Sequence, residues 1–114
     1  MITTRSGNAP EDIVSQNDQD FLLQEVRYIA SNAVIYWRKP AQIGGGEKSF
    51  KRISDVSQFG FKPVTVQRTH TISSVQKDRF VLTSISITSG VKIISKISGN
   101  GIVGTPQIII PPVQ

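Results

Sequence analysis

Few residues of this sequence combine the type and the spacing that catalysis or metal binding requires. The chain has no cysteine, which excludes a disulfide scaffold, a thiolate zinc site and a cysteine nucleophile. His70 is the only histidine, and no Asp or Glu lies near it at a spacing suited to a zinc ligand. A Ser-His-Asp triad needs only spatial proximity and stays open, although no nucleophile motif supports it. We interpret His70, which lies among threonines, as a surface residue of a strand.

Two short motifs resemble ligand sites but lack essential parts. The segment Gly44–Ser49 reads GGGEKS, yet a phosphate-binding P-loop needs glycine directly before lysine and lies between a strand and a helix. Asp18 and Asp20 lack the downstream glycine and glutamate of a calcium-binding loop. We therefore interpret the glycines as a tight or flexible connection and the two acids as a solvated helix face. The sequence predicts no catalytic, cofactor-binding or metal-binding residue, and hence a protein that is not an enzyme.

The one candidate interaction surface is basic. Lys48, Lys51 and Arg52 surround Phe50, and alternation of aromatic and basic side chains is typical of single-stranded nucleic-acid binding. The alternative is a solvated basic loop whose Phe50 packs inward. A DNA or polyanion partner is thus a possible second role, and we take these four residues as the candidate site.

Charge is unevenly distributed along the 114 residues, whose net charge is +5. Residues 1–37 carry two cations against five acids, residues 38–68 seven cations against two acids, and residues 69–114 four cations against one acid. Such polarity indicates either a solvated basic face or complementary surfaces and an anionic partner. No run of about 18 apolar residues is present that could span a bilayer. The first dozen residues are too polar for a signal peptide, so we expect a soluble chain.

A helix is predicted over about residues 10–38. Apolar side chains recur at helical spacing and form one face: Leu22, Val26, Ile29, Ala33 and Trp37. Pro10 suits a first helical turn, and Pro40 stops propagation beyond Arg38. We expect Trp37 to anchor the end of the helix on a sheet, with its indole N–H donating to a carbonyl of the glycine-rich loop. The alternative is that Trp37 is an exposed aromatic contact for a partner.

The rest of the chain is predicted to form strands. Residues 40–49 form a glycine-rich loop, and from Phe59 the apolar period changes to two, with Phe59, Phe61, Val64 and Val66 around Pro63. Residues 80–88 read as a strand with Val81, Thr83, Ile85 and Ile87 on one face. Val91, Ile93 and Ile97 alternate with Lys92 and Lys96. One more short strand is predicted from the apolar residues at 102–103 and 108–110. Turn signals stand at 76–78, 89–90 and 98–101.

These patterns predict an α+β fold, in which a long N-terminal amphipathic helix packs on an antiparallel β-sheet of about three to five strands. We expect a flexible N-terminus at residues 1–9 and a single domain at residues 10–114, with its β-rich part at residues 59–110.

The segment from Phe21 to Phe50 resembles the helix end and following loop of small type IV pilin-like or pseudopilin-like proteins of the Bacteroidota type. The matching features are an aliphatic–alanine helix, paired aromatics, a basic residue with proline, and a glycine run closed by Ser-Phe. They fall at Ala30, Ala33, Tyr36, Trp37, Arg38, Pro40, Gly44, Gly45, Gly46, Ser49 and Phe50. The β-rich tail with GVKIISKISGNG is similar in character.

This resemblance implies a structural, non-catalytic subunit of a filament at the bacterial cell surface or on the periplasmic face of the inner membrane. In such proteins an apolar first half of the helix anchors in the membrane and then forms the filament core. Here residues 1–12 are polar, so we expect self-association and membrane anchoring to belong to a full-length protein that carries this half.

Overall fold

The computed structural model describes the backbone of residues 10–111 and the side chains of residues 17–111. The segment 1–9, predicted to be flexible, lies outside the described residues. Helix α1 spans Pro10–Arg38. Among its side chains from residue 17 onward, five are fully or almost fully buried in the core, namely Leu22, Val26, Ile29, Ala30 and Ala33. These positions recur every three or four residues, so they lie on one side of the helix. No helix among the described residues has the length and apolarity needed to cross a membrane.

Four strands follow the helix and form one antiparallel sheet in sequence order. They are β1 (Arg68–Ser73), β2 (Arg79–Ser86), β3 (Lys92–Ser98) and β4 (Gly101–Ile109). Each strand pairs with the next, because short turns join antiparallel neighbours. The predicted α+β class is confirmed: one helix packs against a four-stranded antiparallel sheet.

One face of the sheet packs on α1 and the other does not. On β2 the buried residues are Phe80, Leu82, Ser84 and Ser86, and on β3 they are Val91, Ile93, Ser95 and Ile97, the first of which directly precedes the strand. The sequence pattern on β3 is thus confirmed. Of the set predicted to share one face of β2, Val81, Thr83 and Ile85 do so, but that face points away from the helix. The fourth member, Ile87, lies just beyond the end of the strand.

The segment after Phe59 is not the strand that its alternation suggests. A 3-10 turn occupies Val56–Phe59, and regular β-structure begins only at Arg68. Gly60 has a φ of +80°, and Pro63 has no N–H to donate to a sheet. Phe59 and Phe61 therefore reach the core from a segment without regular secondary structure beyond the 3-10 turn. Val64 and Val66, by contrast, are 80% and 82% exposed.

Candidate functional site

A polar network joins the helix to the first two strands inside the domain. The Nε2 atom of His70 lies 2.8 Å from Oε1 of Glu25, and its Nδ1 atom lies 2.7 Å from Oγ of Ser84. Arg68 donates from its terminal nitrogen to Oε2 of Glu25 at 3.0 Å. One helical carboxylate is therefore bound by two side chains of β1, and the imidazole is bound on both nitrogens.

Local geometry explains why these residues meet. Glu25 lies three residues after Leu22 and four before Ile29, which turns it toward the sheet with the buried stripe. On β1, His70 is directly opposite Ser84 of β2, and the small serine leaves room for the ring. The Phe61 ring packs edge-on against the imidazole, with centroids 5.1 Å apart.

The side chain of His70 is only 1% exposed, so it is not the surface residue that the sequence suggested. Burial lowers the pKa of His70 below 6.5; the hydrogen bond and charge of Glu25 oppose this effect, and the charge of Arg68 adds to it. The neutral ring fits the network, because Nε2–H can donate to Glu25 while Nδ1 accepts from the Ser84 hydroxyl.

Ser84, His70 and Glu25 have the composition of a hydrolytic triad but not its access. A nucleophile must reach a substrate, and the side chain of Ser84 is fully buried. A groove of about 460 Å³ next to Glu25 is lined by Tyr28, Phe61 and Val64 among others, and neither Ser84 nor His70 reaches it. This arrangement binds the helix to the sheet.

Arg68, the first residue of β1, contacts a second side chain of the helix besides Glu25. Its guanidinium lies 5.5 Å from the centroid of the Phe21 ring, within cation–π range. The Nε atom of Arg68 is buried without a hydrogen-bond partner. The charge of this arginine is thus held between one carboxylate and one aromatic face.

A second cluster ties α1 to the turn between β2 and β3. Asp18 accepts hydrogen bonds from the hydroxyls of Ser86 and Ser89. The sequence suggested a solvated helix face for Asp18 and Asp20; Asp18 instead faces the sheet, while Asp20 is exposed. Within residues 17–111, no group of three His, Asp or Glu residues could hold a metal ion.

The glycine-rich loop closes the end of the helix. The N–H groups of Gly46 and Glu47 donate to the carbonyls of Tyr36 and Lys39 at 2.8 and 2.9 Å, and that of Lys48 donates to Trp37. The carbonyls of Tyr36 and Trp37 are among those that a helix leaves unpaired at its C-terminus, and Lys39 directly follows the helix. A phosphate-binding loop needs free N–H groups, whereas the five N–H groups from Gly44 to Lys48 are already hydrogen-bonded to backbone carbonyls.

Trp37 anchors this end of the helix, but not through the glycine loop. Its indole N–H donates to the carbonyl of Lys77 at 3.1 Å, in the turn between β1 and β2. The same carbonyl accepts the N–H of Phe50 at 2.8 Å. The expected anchor is present, and its acceptor belongs to a different loop.

The four residues of the candidate interaction surface divide between core and surface. Phe50 is fully buried, with its ring edge-on to that of Phe80 at 4.9 Å, so it cannot stack on a base in this fold. Lys48, Lys51 and Arg52 are exposed, and among the described residues none of them forms an ion pair. The sequence alone could not establish that Phe50 is buried while its three basic neighbours are exposed, because the burial of Phe50 depends on aromatic residues far away in the chain.

Comparison with known proteins found no matching family model, curated protein or solved structure.

Proposed function

We propose that this protein is the structural subunit of a type IV pilus-like or pseudopilus filament, and that it acts by packing without catalysis. The observation that carries the proposal is the enclosure of its most reactive side chains. His70 and Ser84 are sealed between helix and sheet, where they hold the fold together. The resemblance of Phe21–Phe50 to pilin-like proteins supports the same assignment, as does the order of one helix followed by an antiparallel sheet.

The charge distribution suggests how subunits would contact each other. Residues 1–37 carry a net charge of −3 and residues 38–68 one of +5. Opposite charges on neighbouring subunits attract over about 10 Å at moderate ionic strength. In this proposal the membrane-anchoring half of the helix is encoded upstream of Met1, and the filament lies on the cell surface or in the periplasm.

The test uses the complete natural gene in its source organism. We expect about 20 consecutive apolar residues upstream of Met1, and filaments that antibodies against this domain decorate in electron micrographs. A triple charge reversal, K48E/K51E/R52E, should deplete the sheared filament fraction. The matched double variant K92E/K96E on the outer sheet face should leave it intact. A gene with no apolar segment, or cells without decorated filaments, would refute the proposal.

A further inference from the structure

The two ends of the sheet differ in what α1 brings to them. In an antiparallel sheet of consecutive strands, the β1–β2 and β3–β4 turns lie at one end and the β2–β3 turn lies at the other. Asp18 lies beside the β2–β3 turn, where it accepts hydrogen bonds from Ser86 and Ser89. Trp37 lies at the opposite end and donates to the carbonyl of Lys77 in the β1–β2 turn. The C-terminal end of the helix and two sheet turns therefore meet at one end of the molecule.

Hydrogen bonds join separate parts of the chain at this end. The glycine-rich loop folds back on the last carbonyls of the helix. Directly after that loop, the N–H of Phe50 donates to the carbonyl of Lys77 at 2.8 Å. Residues 38–52 and 77–79 are thus neighbours in the fold, and we call them together the basic pole.

The basic pole carries the whole excess charge of the chain. It contains seven of the 13 Lys and Arg residues and only two of the eight acids, so its net charge of +5 equals that of the complete chain. The remaining residues carry six charges of each sign. Both acids of the pole have partners, since Glu47 accepts the N–H of Ala41 at 3.2 Å and Asp78 pairs with Arg79 at 3.5 Å.

Five cations of the basic pole are exposed and form no ion pair within residues 17–111, namely Lys39, Lys48, Lys51, Arg52 and Lys77. Like charges gathered at one end of a molecule repel each other and create a positive potential there. A surface with many negative charges would lower this repulsion, so the charge of the pole selects an anionic partner.

Two exposed aliphatic side chains stand among these cations. Ile43 is 67% exposed in the 3-10 turn Ala41–Ile43, and Val75 is 36% exposed two residues before Lys77. The N–H of Ile43 donates to the carbonyl of Pro40 at 3.2 Å, which fixes the position of this turn. Aliphatic side chains flanked by cations are typical of proteins that bind anionic membrane surfaces. The phosphate backbone of a nucleic acid, by contrast, has no apolar layer to receive them.

We propose that the basic pole docks on an anionic phospholipid bilayer. Its lysines and arginines contact the lipid phosphates, and Ile43 and Val75 enter the boundary between headgroups and acyl chains. In this orientation the C-terminus of α1 faces the bilayer, and the β2–β3 turn lies furthest from it. This contact goes beyond the proposed filament role and does not depend on it.

The first test is the binding of the 114-residue chain to vesicles. Vesicles of phosphatidylglycerol and phosphatidylcholine in equal parts should bind it in a co-sedimentation assay, less as salt rises, and vesicles of phosphatidylcholine alone should bind little. The double variant K39Q/K77Q should bind roughly 25-fold more weakly, because each cation near an anionic bilayer contributes about five-fold. The matched variant K62Q/K92Q changes two lysines outside the pole and should lose less than about 3-fold.

The second test separates a bilayer from a nucleic acid by a change that alters no charge. Ile43→Ser should weaken vesicle binding roughly 10-fold, since an aliphatic side chain no longer leaves water. Ile87→Ser is the matched control, because Ile87 is 64% exposed and follows β2 at the opposite end of the sheet; it should bind vesicles like the wild type. Binding of a labelled DNA duplex should be the same for both variants.

A chain that does not bind the anionic vesicles at low salt would overturn the proposal, whether or not it binds DNA. Equal vesicle binding by Ile43→Ser and Ile87→Ser, or equal losses in the two double variants, would overturn it as well. Circular dichroism of each variant establishes that it is folded. None of these results bears on the filament proposal, which depends on the natural gene and on filaments in cells.

Discussion

At the scale of single residues, Glu25 and its partners show how a partly buried charge is tolerated. Removing a carboxylate from water is costly unless hydrogen bonds and an opposite charge compensate. Glu25 receives both, from Arg68 at 3.0 Å and from His70 at 2.8 Å. The network therefore depends on the protonation state of a single imidazole.

The pH dependence of stability follows from this burial. The pKa of His70 is lowered in the folded protein, so between that pKa and about 6.5 the unfolded chain binds more protons than the folded one. The free energy of unfolding therefore decreases as the pH is lowered through this range. Well above pH 6.5, His70 is neutral in both the folded and the unfolded chain, so the free energy of unfolding no longer depends on its protonation. The slope for one proton cannot exceed about 1.4 kcal/mol per pH unit.

Urea unfolding between pH 5 and 7.5 measures this slope, and the ring proton shifts of the single histidine give its folded pKa by NMR. For His70→Gln, the free energy of unfolding should depend less on pH between pH 5.5 and 7, where no other side chain of this sequence normally titrates. An NMR pKa at or above 6.5 would contradict the assignment of the network.

At the scale of elements, the end of α1 is fixed by loops from three parts of the chain. The glycine-rich loop donates to its last carbonyls, the Lys77 carbonyl accepts from Trp37, and Gly99 lies under the indole. A Cβ atom at Gly99 would come within 2.5 Å of the Trp37 ring. Glycine is required there by this close approach, and its φ is not in the left-handed region.

We therefore expect Gly99→Ala to destabilise the protein by about 1–3 kcal/mol, the usual cost of overpacking. Chemical denaturation followed by far-UV circular dichroism, which needs no tryptophan, measures the change. In a Trp37→Leu background the same substitution should cost clearly less, since the clashing ring is gone. Equal costs in both backgrounds would show that the contact does not determine the choice of glycine.

At the scale of the whole molecule, the electrostatic field of the charged residues reaches further from the surface than any other interaction. The chain carries a net +5, and Lys48, Lys51 and Arg52 contribute three exposed cations close together in sequence. Glu47 and Lys48 both adopt positive φ, at 50° and 62°, which presents this part of the loop in one defined conformation. A polyanion would meet this basic loop without any aromatic contribution from the buried Phe50.

Binding to duplex DNA is expected to be weak and steeply dependent on salt. Three neutralised phosphates correspond to a slope of log K against log salt of about −2.7. Fluorescence anisotropy with a labelled duplex should show a slope near zero for K48Q/K51Q/R52Q, while K92Q/K96Q, on the outer sheet face, retains the wild-type slope. Equal slopes in the two variants would exclude the basic loop as the contact.

The order of elements and the turns could be derived from the sequence, because each depends on neighbouring residues. Apolar spacing around Leu22–Trp37 indicated the helix, and alternation around Lys92 and Lys96 indicated β3. The segment after Phe59 was misread, since alternation alone cannot reveal that Gly60 bends the chain and Pro63 lacks a donor.

Contacts between distant residues required the folded chain. Glu25 and His70 are 45 positions apart and Trp37 and Gly99 are 62 apart, and local periodicity does not specify which remote side chain fills a given space. Local periodicity likewise does not specify which face of β2 packs on the helix, or that Phe50 is buried. Periodicity determines the backbone conformation and the two faces of an element, whereas competition among all apolar surfaces for burial selects the partner.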